Sequence, residues 1–229
     1  MTPQDRLKQQ AAHKAVESVH SGMVLGLGTG STTRFALERI AGLLNSGQLT
    51  DIVGIPSSVQ TEQLATSLNI PLTTLDEHPA IDLTIDGADE VDPVLNLIKG
   101  GGGALLREKV LAQASRQLII IVDESKLSPQ LGSKWPLPVE VIPFARRTEE
   151  NFLTSLGADV RLRMQADEKP YSTDQGNLIL DANFGAMEDP EKLAEQLNGR
   201  AGIVEHGLFL DLATEVIVAG EEGVRRMVR

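Results

Sequence analysis

VLGLGTGSTTRFALERIAGLL, residues 24–44, decides the fold. The apolar run VLGLG (24–28) reads as a short strand, TGSTT as a turn, and the rest as a helix. The same alternation recurs on either side. IVGIP (52–56) is strand-like and is followed by a Ser-Ser start to a helix near 58–68. IDLTID (81–86) alternates apolar residues with Asp82, Thr84 and Asp86, which predicts a strand with one face less buried. LIIIV (118–122) reads as a strand buried on both faces. Upstream, Leu7, Ala11, Ala15, Val16 and Val19 fall at helical spacing and predict a helix over 4–20. Strands alternating with helices imply an α/β fold: an open, mainly parallel sheet flanked by helices.

The pattern changes near 135. KWPLPVEVIP carries three prolines and reads as a crossing segment. Beyond it the spacing predicts strand 139–142, helix 145–156, strand 158–164, a turn at TDQGN (173–177), strand 177–182, helix 189–198 and strand 202–206. That order, βαββαβ, is a ferredoxin-like α+β unit. EVIVAG (215–220) and GVRRMV then return to the first sheet. The expected domains are 1–135 with 207–229, and a smaller lobe over 136–206.

Composition narrows the function. With 229 residues, 41% hydrophobic and 23% charged, the chain has ample length for a core. A net charge of −11 opposes a nucleic-acid surface, which needs clustered Lys and Arg. No cysteine is present, so thiolate catalysis, disulfides and Cys-ligated metals are excluded. MTPQDRLKQQAAHK lacks the apolar core of a secretion signal, and no apolar run reaches the length of a membrane span. No membrane partner and a cytoplasmic location are the expectations.

Four motifs carry chemistry. GLGTGSTT (26–33) follows a strand and opens a helix, where orphan N–H groups and the helix dipole favour an anion. Ser31 stands where a dinucleotide fingerprint needs Gly or Ala, Asp51 precedes its strand, and no Gly-Lys-Ser/Thr follows; this is neither a Rossmann nor a Walker loop. The turn is either an anion site or a tight strand–helix turn with a Ser/Thr N-cap. DGADE (86–90) sets two carboxylates, Asp86 and Asp89, after a strand, with Gly87 and Ala88 between. They can hold sugar hydroxyls, bind a metal, relay a proton, or cap local backbone. KGGGGALLREK (99–109) places Lys99 before four glycines, whose bare N–H groups can approach an anion, and Glu108 inside the next helix. Glu108 is a candidate general base, or half of a surface pair with Arg107 or Lys109. DESK (123–126) follows LIIIV and offers Lys126, or a helix start capped by Asp123. In open α/β sheets ligands bind outside the carboxyl ends of the strands, and these motifs gather there.

GLGTGSTT, TIDGADEVD, LIKGGGGALLREK, DESK and PLPVEVIP, in this order and spacing, resemble the type A ribose-5-phosphate isomerases over essentially the whole chain. The resemblance implies an open α/β domain with a ferredoxin-like lobe inserted before the final strand. It implies a cofactor-free and metal-free interconversion of ribose 5-phosphate and ribulose 5-phosphate, in a homodimer or higher homo-oligomer. By the same resemblance Glu108 is the catalytic base, working through an enediolate. Lys99 and the N–H groups of Gly100, Gly101 and Gly102 stabilise the oxyanion. Asp86 and Asp89, with Gly87 and Ala88, hold hydroxyls and assist ring opening. Thr29, Gly30, Ser31, Thr32 and Lys126 match substrate-binding positions, and Lys8 matches a phosphate ligand. Trp135 and the extended hairpin QADEKPYSTDQGN depart from the pattern outside these motifs. A non-catalytic sugar-phosphate sensor is the alternative; a CoA transferase with a glutamate nucleophile would need a larger nucleotide pocket.

Overall fold

The computed structural model describes all 229 residues. In chain order the elements are α1 (Pro3–Val16), β1 (Val24–Leu27), α2 (Ser31–Asn45), β2 (Val53–Pro56), α3 (Val59–Ser67), β3 (Leu83–Asp86), β4 (Glu90–Val91), β5 (Leu97–Ile98), α4 (Leu105–Ala114) and β6 (Leu118–Asp123). They continue with β7 (Leu137–Val141), α5 (Arg146–Ser155), β8 (Asp159–Leu162), β9 (Leu178–Asn183), α6 (Pro190–Asn198), β10 (Ile203–His206), β11 (Leu208–Phe209), β12 (Glu215–Gly220) and β13 (Gly223–Val228).

The chain forms two compact units. One comprises Met1–Ala88, Arg107–Lys126 and Asp211–Arg229, the other Asp89–Leu106 and Leu127–Leu210. Asp89–Leu106 and residues 127–135 thus cluster with the lobe, whereas the sequence reading began the lobe at 136. Three of the four crossings between units fall inside DGADE, inside ALLREK and directly after DESK.

The first unit is built on a six-stranded sheet, β13-β12-β6-β3-β1-β2, parallel except for the β12–β13 hairpin at one edge. Parallel pairing brings the carboxyl ends of β2, β1, β3 and β6 to one edge. Leu25, Leu27, Leu83, Ile85, Ile119, Ile121 and Ile217 form its core with Phe35, Leu37 and Ile40 of α2 and Ala11, Ala12, Ala15 and Val16 of α1. Thr2 caps α1, its hydroxyl accepting from the Asp5 N–H at 3.1 Å, and the helix ends at Val16, short of the expected residue 20. The IDLTID expectation fails in one respect: Leu83–Asp86 is buried throughout. Hydrogen bonds make that tolerable. Thr84 Oγ1 lies 2.6 Å from Ser115 Oγ, and Asp82 accepts from the Val24 N–H at 2.9 Å.

The second unit carries the antiparallel sheet β10-β7-β9-β8 with α5 and α6, the strand order of a ferredoxin-like lobe. Leu137, Val139, Val141, Leu153, Leu180, Ala182 and Leu197 fill its core. The proline-rich crossing segment is itself partly strand, since β7 starts at Leu137 and contains Pro138. A three-stranded sheet, β11-β5-β4, joins the 89–106 segment to Leu208–Phe209.

Candidate active site

In the first unit the site is built on the edge where the parallel strands end. Gly28 follows β1, and a side chain there would overlap the Asp86 carboxylate and come within 2.6 Å of Asp86 Cα. Glycine at 28 therefore lets the end of β3 lie against the end of β1. Asp86 is 1% exposed; its Oδ1 accepts the Thr29 N–H at 3.1 Å and the Gly87 N–H at 2.7 Å. These donors fix the carboxylate. The Thr29 hydroxyl is drawn inward, 2.7, 2.8 and 3.0 Å from the hydroxyls of Ser57, Ser58 and Thr61. Thr29 thus braces Asp86 through its backbone while its hydroxyl joins this cluster. Ser57, Ser58 and Thr61 were not singled out, and the Ser-Ser pair after a strand was the available signal.

Helix α2 starts without a side-chain cap. Its N-cap is Gly30 at φ 121°, so no Ser/Thr N-cap forms. Lys8 of α1 donates to Ser31 Oγ at 3.0 Å, which joins a cation to the helix N-terminus. Ser31 is exposed and Thr32 half-buried. A cation, a hydroxyl and an uncapped helix N-terminus together have the chemistry to attract an anion. Lys126 is half-buried on the 3₁₀ turn Glu124–Lys126 after β6. Asp123 turns back to the local backbone, accepting the Ser125 N–H at 3.0 Å, and takes a 3.4 Å contact from Gln4 Nε2. Glu108, in the first turns of α4, is 5% exposed, which rules out the surface pair.

In the second unit Asp89 is half-buried and its Oδ2 accepts the Gly101 N–H at 2.7 Å. The Gly101 N–H is therefore engaged in orienting Asp89 rather than turned to an oxyanion. Lys99 is 2% exposed; its N–H donates to Gly207 O at 2.9 Å and its Nζ lies 5.4 Å from the centre of the Phe209 ring. Gly100, buried, adopts φ 103° and accepts the Gly103 N–H at 3.0 Å, closing the glycine turn. Glu90, the last residue of DGADE, is structural: it is fully buried and accepts the N–H groups of Gly132, Lys134 and Trp135 at 3.0–3.2 Å.

In the first unit, buried carboxylates and an uncapped helix N-terminus lie on an open α/β sheet of the kind that enzymes acting on small anionic substrates use. The family model for ribose 5-phosphate isomerase A (phosphoriboisomerase A) matches residues 53–223. The ribose-5-phosphate isomerase A of Desulfatibacillum aliphaticivorans is 61% identical over 227 residues, 99% of each chain, and that of Chloroflexus aurantiacus is 58% identical over 226 residues, 99% of this chain and 95% of its own. A solved D-ribose-5-phosphate isomerase in complex with phospho-erythronic acid superposes with a TM-score of 0.97 at 42% identity over all of both chains. The chain belongs to the ribose 5-phosphate isomerase A family.

Proposed function

We propose that the protein interconverts D-ribose 5-phosphate and D-ribulose 5-phosphate through an enediolate, with Glu108 as the general base, as a step of the pentose phosphate pathway. One observation carries the reading: Asp86, Lys99 and Glu108 are 1%, 2% and 5% exposed. Burying ionisable groups is costly, and proton-transfer chemistry uses the low-dielectric setting that results.

The phosphate is held by Lys8, by Ser31 and Thr32 at the start of α2, and by Lys126. Asp86 and Asp89 hold sugar hydroxyls and assist ring opening. In the open chain Glu108 removes the C2 proton and the electron pair moves onto the C1 carbonyl oxygen. Lys99 and a glycine N–H stabilise that oxyanion, a contribution of about 3–4 kcal/mol for a single aligned donor. Glu108 then returns the proton to C1, while the O2 proton passes to O1, leaving the C2 ketone.

Isomerisation in D2O, followed by NMR, tests the mechanism. An enediolate exchanging through Glu108 places solvent deuterium at C1 of ribulose 5-phosphate. Complete intramolecular transfer, with no deuterium at any extent of reaction, would argue for a hydride shift.

A further inference from the structure

We propose that Arg163 is a positioning residue for the isomerisation: it locks the peptide planes of the glycine turn, so that one N–H orients Asp89 and the next is aimed as a donor. The inference rests on the isomerase reading above. Arg163 lies just beyond β8, at the start of the extended hairpin that departs from the family pattern. Its Nη1 donates to Gly100 O at 2.7 Å and to Gly101 O at 3.1 Å. Its Nε donates to Asp181 Oδ2 at 3.0 Å and its Nη2 to Asp181 Oδ1, so the carboxylate of β9 aims the guanidinium. Across the hairpin the Tyr171 N–H donates to Arg163 O at 2.9 Å, and the Tyr171 hydroxyl reaches Gly102 O at 3.3 Å. One hairpin therefore holds three successive carbonyls of the glycine turn.

A peptide plane is rigid, so fixing a carbonyl fixes the N–H of the following residue on the opposite side. The Gly100 carbonyl and the Gly101 N–H share a plane: Arg163 holds one end and Asp89 Oδ2 the other, at 2.7 Å. The Gly101 carbonyl shares its plane with the Gly102 N–H, which donates to no protein acceptor. Gly102 is thus the glycine whose N–H is both aimed and available. Four glycines in a row have little stiffness of their own. A planar guanidinium can serve two carbonyls and a bidentate carboxylate together, whereas an ammonium offers a point charge without the fork. The Arg163 guanidinium donates to these protein groups and acts through Asp89 and Gly102.

Arg163→Met in the full-length protein tests this, with binding of phospho-erythronic acid and of inorganic phosphate measured by calorimetry alongside kcat and KM. Arg163→Lys provides the same comparison where the Met variant does not fold. Misaligned catalytic groups predict a fall in kcat of about 100-fold for Arg163→Met. Binding of phospho-erythronic acid, which carries a carboxylate as well as a phosphate, weakens about 10-fold as one charge-assisted hydrogen bond is lost, while phosphate binding is unchanged. Arg163→Lys shifts the ratio of the two affinities in the same direction by less. A simple loss of folded protein lowers kcat but leaves that ratio alone. An unchanged ratio in both variants, or equal weakening of both ligands, overturns the inference. Wild-type protein without isomerase activity would instead overturn the reading on which it rests.

Discussion

Gly28→Ala isolates the contact between the ends of β1 and β3. The backbone at 28 does not require glycine on conformational grounds, since its φ lies outside the left-handed region. The added methyl would stand 2.6 Å from Asp86 Cα, with the Asp86 carboxylate nearer still. Ordinary contact begins at 3.4 Å, so the Asp86 backbone must retreat by about 0.8 Å and its side chain must rotate away. That movement breaks the 3.1 Å bond from the Thr29 N–H. Overpacking of this kind costs about 1–3 kcal/mol, which for a chain of this size lowers Tm by about 2–12 °C. Displacing a substrate-positioning carboxylate by roughly 1 Å costs about 100-fold in kcat/KM. Thermal melts and a coupled isomerase assay on one preparation read both effects. Wild-type Tm together with wild-type kcat/KM would refute the claim that glycine is kept at 28 to seat Asp86.

Other expectations follow from single positions. Gly42 is exposed on α2, and an alanine methyl there would meet nothing within 4 Å. It is an ordinary helix position, so Gly42→Ala stabilises by about 0.5–1 kcal/mol, readable in urea melts. Glu140 is fully buried in β7, and desolvation raises its pKa above the ordinary 4.5 although Asn177 and Thr173 donate to it. A carboxyl raised on folding binds protons more readily in the folded state. Its stabilising effect is complete below 4.5 and is lost as pH rises through the folded value, so the wild type gains stability relative to Glu140→Gln as pH falls across that window. Parallel denaturant titrations at several pH values read the difference, and a constant gap would contradict it. Turnover is expected to survive dialysis against EDTA, because the proposed step uses only Glu108, Lys99 and backbone donors.

Much of the fold was legible in the sequence because its main strands are short apolar runs bounded by turns. VLGLG, IVGIP, LIIIV and EVIVAG each became a strand of one sheet, and the βαββαβ order of the lobe held. β4, β5 and β11 were not legible, since two-residue strands have no periodicity to detect. The buried polar face of IDLTID was misjudged because its satisfaction depends on Ser115 and Val24, both distant in sequence. The site motifs were legible as chemistry but not as geometry. Nothing local indicates that the Thr29 hydroxyl turns toward Ser57, Ser58 and Thr61, that the Gly101 N–H belongs to Asp89, or that Arg163 holds the carbonyls of the glycine turn.

The most direct test of the central claim is the turnover of Glu108→Gln on ribose 5-phosphate, with phosphate binding measured on the same protein. Removing a general base that handles both proton transfers lowers kcat by about 10² to 10⁴-fold while phosphate affinity and Tm stay close to wild type. Near-normal kcat in a folded, phosphate-binding Glu108→Gln would contradict the account.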